Sequence, residues 1–200
     1  MDVADSATTE SGIRLIAGLG NPGPRYQATR HNAGFWFADS FARQGGGSFK
    51  STSRFHGDLC EVRTDGQACW ILKPDVFMNR SGQAVAALAG FYKIPVEQIL
   101  VIHDELDLPV GTVRLKRGGG NGGHNGLRSV TESMGNGNFV RLRIGIGHPG
   151  HRDLVTDYVL TKPSQEDRRA IEESIAAALA VMPDVLSGNL ERAMHTLHTN

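Results

Sequence analysis

Apolar and polar positions along this chain follow two periods, and the period switches several times. Ile13 to Leu19 is a short, mostly apolar run, Ile99 to Ile102 is a second, and both read as strands. Leu59 to Val62 and Ala68 to Leu72 flank Asp65-Gly66, a dipeptide that favours a tight hairpin turn. Val113 and Leu115 alternate with Thr112, Arg114 and Lys116, while Val140, Leu142, Ile144 and Ile146 alternate more cleanly, so half-buried strands are expected there. Helical spacing runs from Asn32 to Arg43, from Gly82 to Tyr92 through Val85, Leu88 and Ala89, and from Gly126 to Met134. Ser164 and Asp167 resemble a capping box opening a long helix through Ile171, Ile175, Leu179 and Met182, which Pro183 should end or kink. Strands separated by helices, with one hairpin among them, predict an α/β single-domain layered fold: a mixed central β-sheet flanked by helices.

With 200 residues and 40% hydrophobic content, the chain can bury one good core, and no Pro/Ser-rich linker divides it. Residues 12–200 therefore read as one domain behind a polar, aperiodic tail, 1–11, expected to be disordered. That tail lacks the basic start and apolar run of a secretory signal. No apolar stretch approaches the roughly 20 residues of a membrane-spanning helix. Two cysteines make no disulfide framework, and a reducing cytoplasm fits best. Pairing about the hairpin turn sets Cys69 opposite Val62, with Cys60 only a diagonal neighbour, so both read as buried small hydrophobes.

The 21 basic residues balance 21 acidic ones, which argues against coating long nucleic acid and makes a monomer the default. A small basic patch stays allowed: Arg114, Lys116 and Arg117 precede a glycine cluster, and Arg141 and Arg143 take alternate strand positions. Taken alone, these residues read as a solvated strand face. The cluster itself is unusual, with glycine at six of the nine positions from Gly118 to Gly126. Such a segment is entropically costly, so it points to a sharp bend or the close approach of a ligand.

In folds of this class, ligands sit at the carboxyl ends of strands. Those ends supply Asn21; Phe77, Met78 and Asn79; His103, Asp104, Glu105 and Asp107; then His124 and Asn125, with His31 and Asn32 at the start of a helix. Gly18-Leu19-Gly20-Asn21-Pro22-Gly23 fits a dinucleotide fingerprint, but Pro22 and Pro24 remove donors a pyrophosphate needs, and the nearest acid, Asp39, falls inside a helix. A nicotinamide oxidoreductase is thereby disfavoured. No G-x-S-x-G elbow offers a serine nucleophile, and no second histidine sits at helical metal-ligand spacing, so neither covalent catalysis nor a metal is expected. His31 lies in a polar loop where packing has little use for it; with Asp104 at a neighbouring strand end, the pair suits a base oriented by a carboxylate.

Gly18-Leu-Gly-Asn21-Pro-Gly23, Thr29-Arg30-His31-Asn32-Ala33-Gly34, Phe77-Met78-Asn79, His103-Asp104-Glu105-Leu106-Asp107 and Gly118-Gly-Gly-Asn-Gly-Gly-His124-Asn125-Gly126 together resemble the bacterial peptidyl-tRNA hydrolase family. The likeness runs from about Ile13 to Leu197 and includes the segment Arg141 to Gly150. It departs from the family pattern at the tail, at Pro183 and at an acid-poor turn near Gly135. The resemblance implies hydrolysis of the ester joining a peptide to the 3′ end of tRNA, recycling tRNA from prematurely released peptidyl-tRNA, without metal or other cofactor. It implies His31 as general base, Asp104 as its orienting partner and Asn79 beside the scissile carbonyl. Asn21 would discriminate N-blocked substrates from free aminoacyl-tRNA. Tyr26, Phe77, Met78, His124 and Asn125 would bind substrate, and Lys116 and Arg143 would meet tRNA phosphates. The plainer reading of Asn125, compatible with binding, is a cap for the helix from Gly126, and His124 would play a supporting part. A noncatalytic RNA-binding descendant is the other class to weigh; retention of His31 and Asp104 argues against it.

Overall fold

The computed structural model describes residues 12–64 and 66–199, so the expected disordered tail and the turn residue Asp65 lie outside the described residues. The strands are β1 (Leu15–Gly18), β2 (Lys50–Thr52), β3 (Gly57–Thr64), β4 (Gln67–Pro74), β5 (Ile99–Glu105), β6 (Val113–Arg117) and β7 (Val140–Gly145). They form one sheet in the order β2-β3-β4-β1-β5-β7-β6. The pairings β4–β1, β1–β5 and β5–β7 are parallel, and β2–β3, β3–β4 and β6–β7 are antiparallel. The helices are α1 (Ala33–Gln44), α2 (Ser81–Tyr92), α3 (Asn125–Met134), α4 (Val155–Val159), α5 (Gln165–Ala180), α6 (Met182–Leu186) and α7 (Leu190–His198). This is the mixed α/β layered fold that the patterning predicts.

The two faces of the sheet carry two cores. Ile16, Leu100, Ile102 and Leu142 pack with Trp36 and Phe37 of α1 and Ile171 and Ile175 of α5. Leu15, Ala17, Ile99 and Val101 pack on the opposite face with Val85 and Leu88 of α2 and Leu127 and Val130 of α3. Burial on both faces is why β1 and β5 read as unbroken apolar runs rather than alternating ones. The hairpin register sets Val62 opposite Cys69, and both cysteines are free and buried. Burial pushes the Cys69 thiol up to about 12, which leaves it without nucleophilic character.

Ser164 caps α5 by accepting from Asp167 N at 3.0 Å. The helix stops at Ala180, and Pro183 falls in the first turn of α6, where a missing N–H costs nothing. After β1 the chain crosses Gly20 and Gly23 without entering a helix, because α1 begins only at Ala33. No helix N-terminus therefore stands at those glycines to receive a pyrophosphate. Gly34 explains how α1 starts where it does. A Cβ there would lie 2.4 Å from Ile102 O and 2.5 Å from Leu19 N, so only glycine lets this turn press against the ends of β1 and β5.

The solvated strand face expected for the β7 arginines is only partly present. Arg141 is 2% exposed. Its guanidinium donates to Gly119 O at 2.7 Å and Gly120 O at 2.5 Å and lies 4.7 Å from the Phe139 ring centroid. It holds the first half of the glycine cluster in place. Arg141→Met keeps the apolar stem but orphans these carbonyls, and is expected to lower unfolding free energy by about 2–4 kcal/mol in urea melts.

Candidate active site

Three strand ends converge on one carboxylate. Asp104, at the end of β5, is 3% exposed, yet both its oxygens are occupied. Oδ2 lies 2.8 Å from His31 Nδ1, and Oδ1 lies 2.8 Å from His124 Nε2. Ionised carboxylate oxygens only accept, so each ring donates an N–H to Asp104. His124 Nδ1 in turn accepts from Gly126 N at 3.1 Å and Leu127 N at 3.3 Å. The hydrogen-bond partners thus fix both tautomers: His31 carries its proton on Nδ1 and His124 on Nε2. His31 Nε2 is left with a free lone pair, on a side chain 13% exposed at the cleft.

His124 is accordingly the N-cap of α3, which begins at Asn125. The expectation that Asn125 caps a helix from Gly126 is corrected. An imidazole nitrogen reached the orphan backbone donors first, because its other nitrogen is anchored on Asp104.

Burial alone pulls the His31 pKa down; the charge and hydrogen bond of Asp104 outweigh it and hold the ring above its ordinary value. Burial likewise pushes Asp104 up, and the two histidines reverse this, keeping it well below the usual carboxylate range. His103, beneath them, donates from Nδ1 to Asp104 O at 2.7 Å and is driven down to about 3, first by burial and then by His124 beside it. It stays neutral. His31, Asp104 and His124 offer ligand atoms within 4.8 Å of one another. A metal at about 2.0–2.2 Å would have to displace both N–H bonds to Asp104, so the trio fits a hydrogen-bonded relay better than a metal centre.

The trio opens on a cleft of about 600 Å³, which also takes in Asn21, Phe77, Met78, Asn79 and Asn125. Asn32 splices the first two loops together: its Oδ1 accepts from Asn21 N and its Nδ2 donates to Asn21 O, each at 2.9 Å. Asn21 Oδ1 accepts from Met78 N at 2.8 Å, which ties the loop after β4 into the same frame. Met78 is buried, whereas Asn79 and Asn125 are exposed and Phe77 stands 57% exposed. Tyr26 is outside the cleft lining but meets Phe77 edge-on, with ring centroids 6.1 Å apart. Lys116 and Arg143 are not in the cleft either. Arg143 pairs with the cleft residue Glu105 at 3.1 Å, and Lys116 is exposed on β6.

Sequence reasoning missed one wall of this cleft, formed by Val155, Thr156, Val159 and Leu160. Val155 and Val159 sit at helical spacing, but α4 has five residues, too few for a periodic signal. A separate hollow of about 690 Å³ lies against α1 and α5; Arg168 there pairs with Glu172 at 2.7 Å, and no histidine enters it.

Comparison with known proteins bears on these residues. A family described as peptidyl-tRNA hydrolase matches residues 15–200. The chain is 54% identical over 187 residues to a peptidyl-tRNA hydrolase of Neisseria meningitidis, covering 94% of this chain and 97% of that protein. It is 53% identical over 192 residues to one from Halorhodospira halophila, covering 96% and 99%. The crystal structure of peptidyl-tRNA hydrolase from Acinetobacter baumannii superposes with a TM-score of 0.91 at 44% identity, over 94% of this chain and 95% of that one.

Proposed function

The chain belongs to the peptidyl-tRNA hydrolase family, and from that premise and the site geometry we propose that His31 activates water to cleave the ester between a peptide and the tRNA 3′ end. The observation that carries this reading is the pair of Asp104 contacts, which leaves His31 Nε2 as the unprotonated nitrogen at the cleft. Nε2 takes a proton from water, the oxygen attacks the ester carbonyl carbon, and negative charge develops on the carbonyl oxygen. In this scheme the amide of Asn79, an exposed residue of the cleft lining, donates to that oxygen. Collapse breaks the bond to the ribose 3′ oxygen, which recovers the proton from the imidazolium. The scheme requires neither a covalent enzyme intermediate nor a metal.

Discrimination falls to Asn21. Its Oδ1 is committed to Met78 N, while its Nδ2 has no partner among the described residues and is free to donate to the first peptide carbonyl of a blocked substrate. Asn21→Asp keeps the acceptor and loses that donor. The preference for N-acetyl-aminoacyl-tRNA over aminoacyl-tRNA is expected to fall about tenfold or more, read as a ratio of kcat/KM values. Lys116 and Arg143 would steer phosphates from outside the cleft. With so few cations, the salt dependence of KM should be shallow.

The direct test incubates the protein with N-acetyl-aminoacyl-tRNA and with free aminoacyl-tRNA and follows ester loss. Hydrolysis of the blocked substrate alone supports the reading. Binding without turnover returns the protein to the RNA-binding class.

A further inference from the structure

Arg30 precedes His31 in the 3₁₀ turn Arg30–Asn32, yet its side chain is only 9% exposed and points away from the histidine's task. Nη1 donates to Tyr158 O and Thr161 O, each at 3.2 Å, and reaches Lys162 O at 3.5 Å. Arg30 N donates to Thr161 O at 3.2 Å, and the guanidinium carbon sits 4.0 Å over the Tyr158 ring. The nearest carboxylate, Asp167, stands 3.9 Å from Nη2. The cation is therefore held mainly by backbone carbonyls at the C-terminal end of α4 and by an aromatic face, an arrangement a helix's negative end favours.

That end needs an anchor. A five-residue helix does not sustain itself, and Val159 is the one buried residue of α4. Val155, Thr156 and Val159 of α4, with Leu160 just past its end, line the cleft. Tyr158 is tied on its other side by its hydroxyl, which donates to Ile146 O after β7.

We propose that Arg30 is a positioning residue that fastens the α4 wall to the turn bearing His31 and so sets the fit of the substrate's acceptor end in the cleft. The inference rests on the cleft being the substrate site. Lysine cannot replace the fork: one ammonium point charge neither reaches three carbonyls nor stacks on Tyr158. Because the His31–Asp104 contact is untouched, loss of the fork acts on binding rather than on proton transfer.

Arg30→Lys is expected to raise KM for N-acetyl-aminoacyl-tRNA about tenfold, with kcat within about threefold and the acidic limb of the kcat/KM profile unmoved. Backbone amides of 155–161 should exchange hydrogen about tenfold faster, with β1 and β5 unchanged. Tyr158→Leu removes the aromatic platform and the hydroxyl tie to Ile146 O while leaving every residue of the His31 turn and the Arg30–carbonyl bonds in place; it should give the same split, more weakly, and carries the test if Arg30→Lys does not fold. An unchanged KM, a fall in kcat alone, or unaltered exchange across α4 overturns the inference. If the wild type releases no peptide, the functional reading fails instead, and the exchange comparison still decides whether Arg30 holds α4.

Discussion

His31→Ala is expected to slow hydrolysis of N-acetyl-aminoacyl-tRNA about 10²- to 10⁴-fold with little change in KM. Alanine removes the Nε2 lone pair that the described residues leave unused at the cleft, while Asn21 and Met78 keep their frame through Asn32. Steady-state kinetics with thermal melts checks it. An unchanged kcat in a folded variant removes His31 as the base. The wild-type pH profile gives the sign independently. A histidine acting as base works deprotonated, and Asp104 raises the His31 pKa above its ordinary value, so on the proposed mechanism activity should be full above that raised pKa and lost as pH falls through it.

Asp104→Asn should cost a comparable factor, about 10²- to 10⁴-fold in kcat, by a different route. Two ring N–H groups compete for one remaining carbonyl oxygen. His124 cannot yield, because moving its proton to Nδ1 would point it at the Gly126 and Leu127 N–H groups. The amide oxygen therefore stays with His124 and the NH₂ group faces His31. That imidazole shifts its proton to Nε2, and the lone pair at the cleft disappears. The substitution also removes both influences that raise the His31 pKa and leaves burial, which lowers it. The residual activity should accordingly show its acidic limb at lower pH than wild type. A limb that stays in place, or a kcat within threefold, contradicts the assigned tautomers.

How far the sequence alone reaches differs from residue to residue. Ile99 to Ile102 and the hairpin about Gly66 are legible because each is a dense local signal: an apolar run buried on two faces, or a turn dipeptide that fixes register. His31 stands out because a titratable ring in a polar loop has no packing purpose, and Asp104 because it ends a strand. Arg141 misleads for the opposite reason. A polar residue at an alternating strand position looks solvated, and only the folded glycine cluster, 21 and 22 positions earlier, supplies the carbonyls that bury it. The choice between His124 and Asn125 as cap depended on Asp104, 20 positions away. β2, at three residues, and α4, at five, are shorter than the patterns used to find them. Arg30 belongs with these: its partners lie 128 to 132 positions downstream, beyond any local pattern.

The convergence on Asp104 also dates the appearance of activity during folding. His31 and Asp104 are 73 positions apart, and they meet only after the parallel pairing of β1 with β5 has closed a long crossover. Non-local parallel pairings of this kind form late, after local helices have gained most of their signal. In a refolding chain, recovery of turnover should therefore lag behind far-ultraviolet ellipticity, because the proposed base meets its carboxylate only when β1 and β5 have paired.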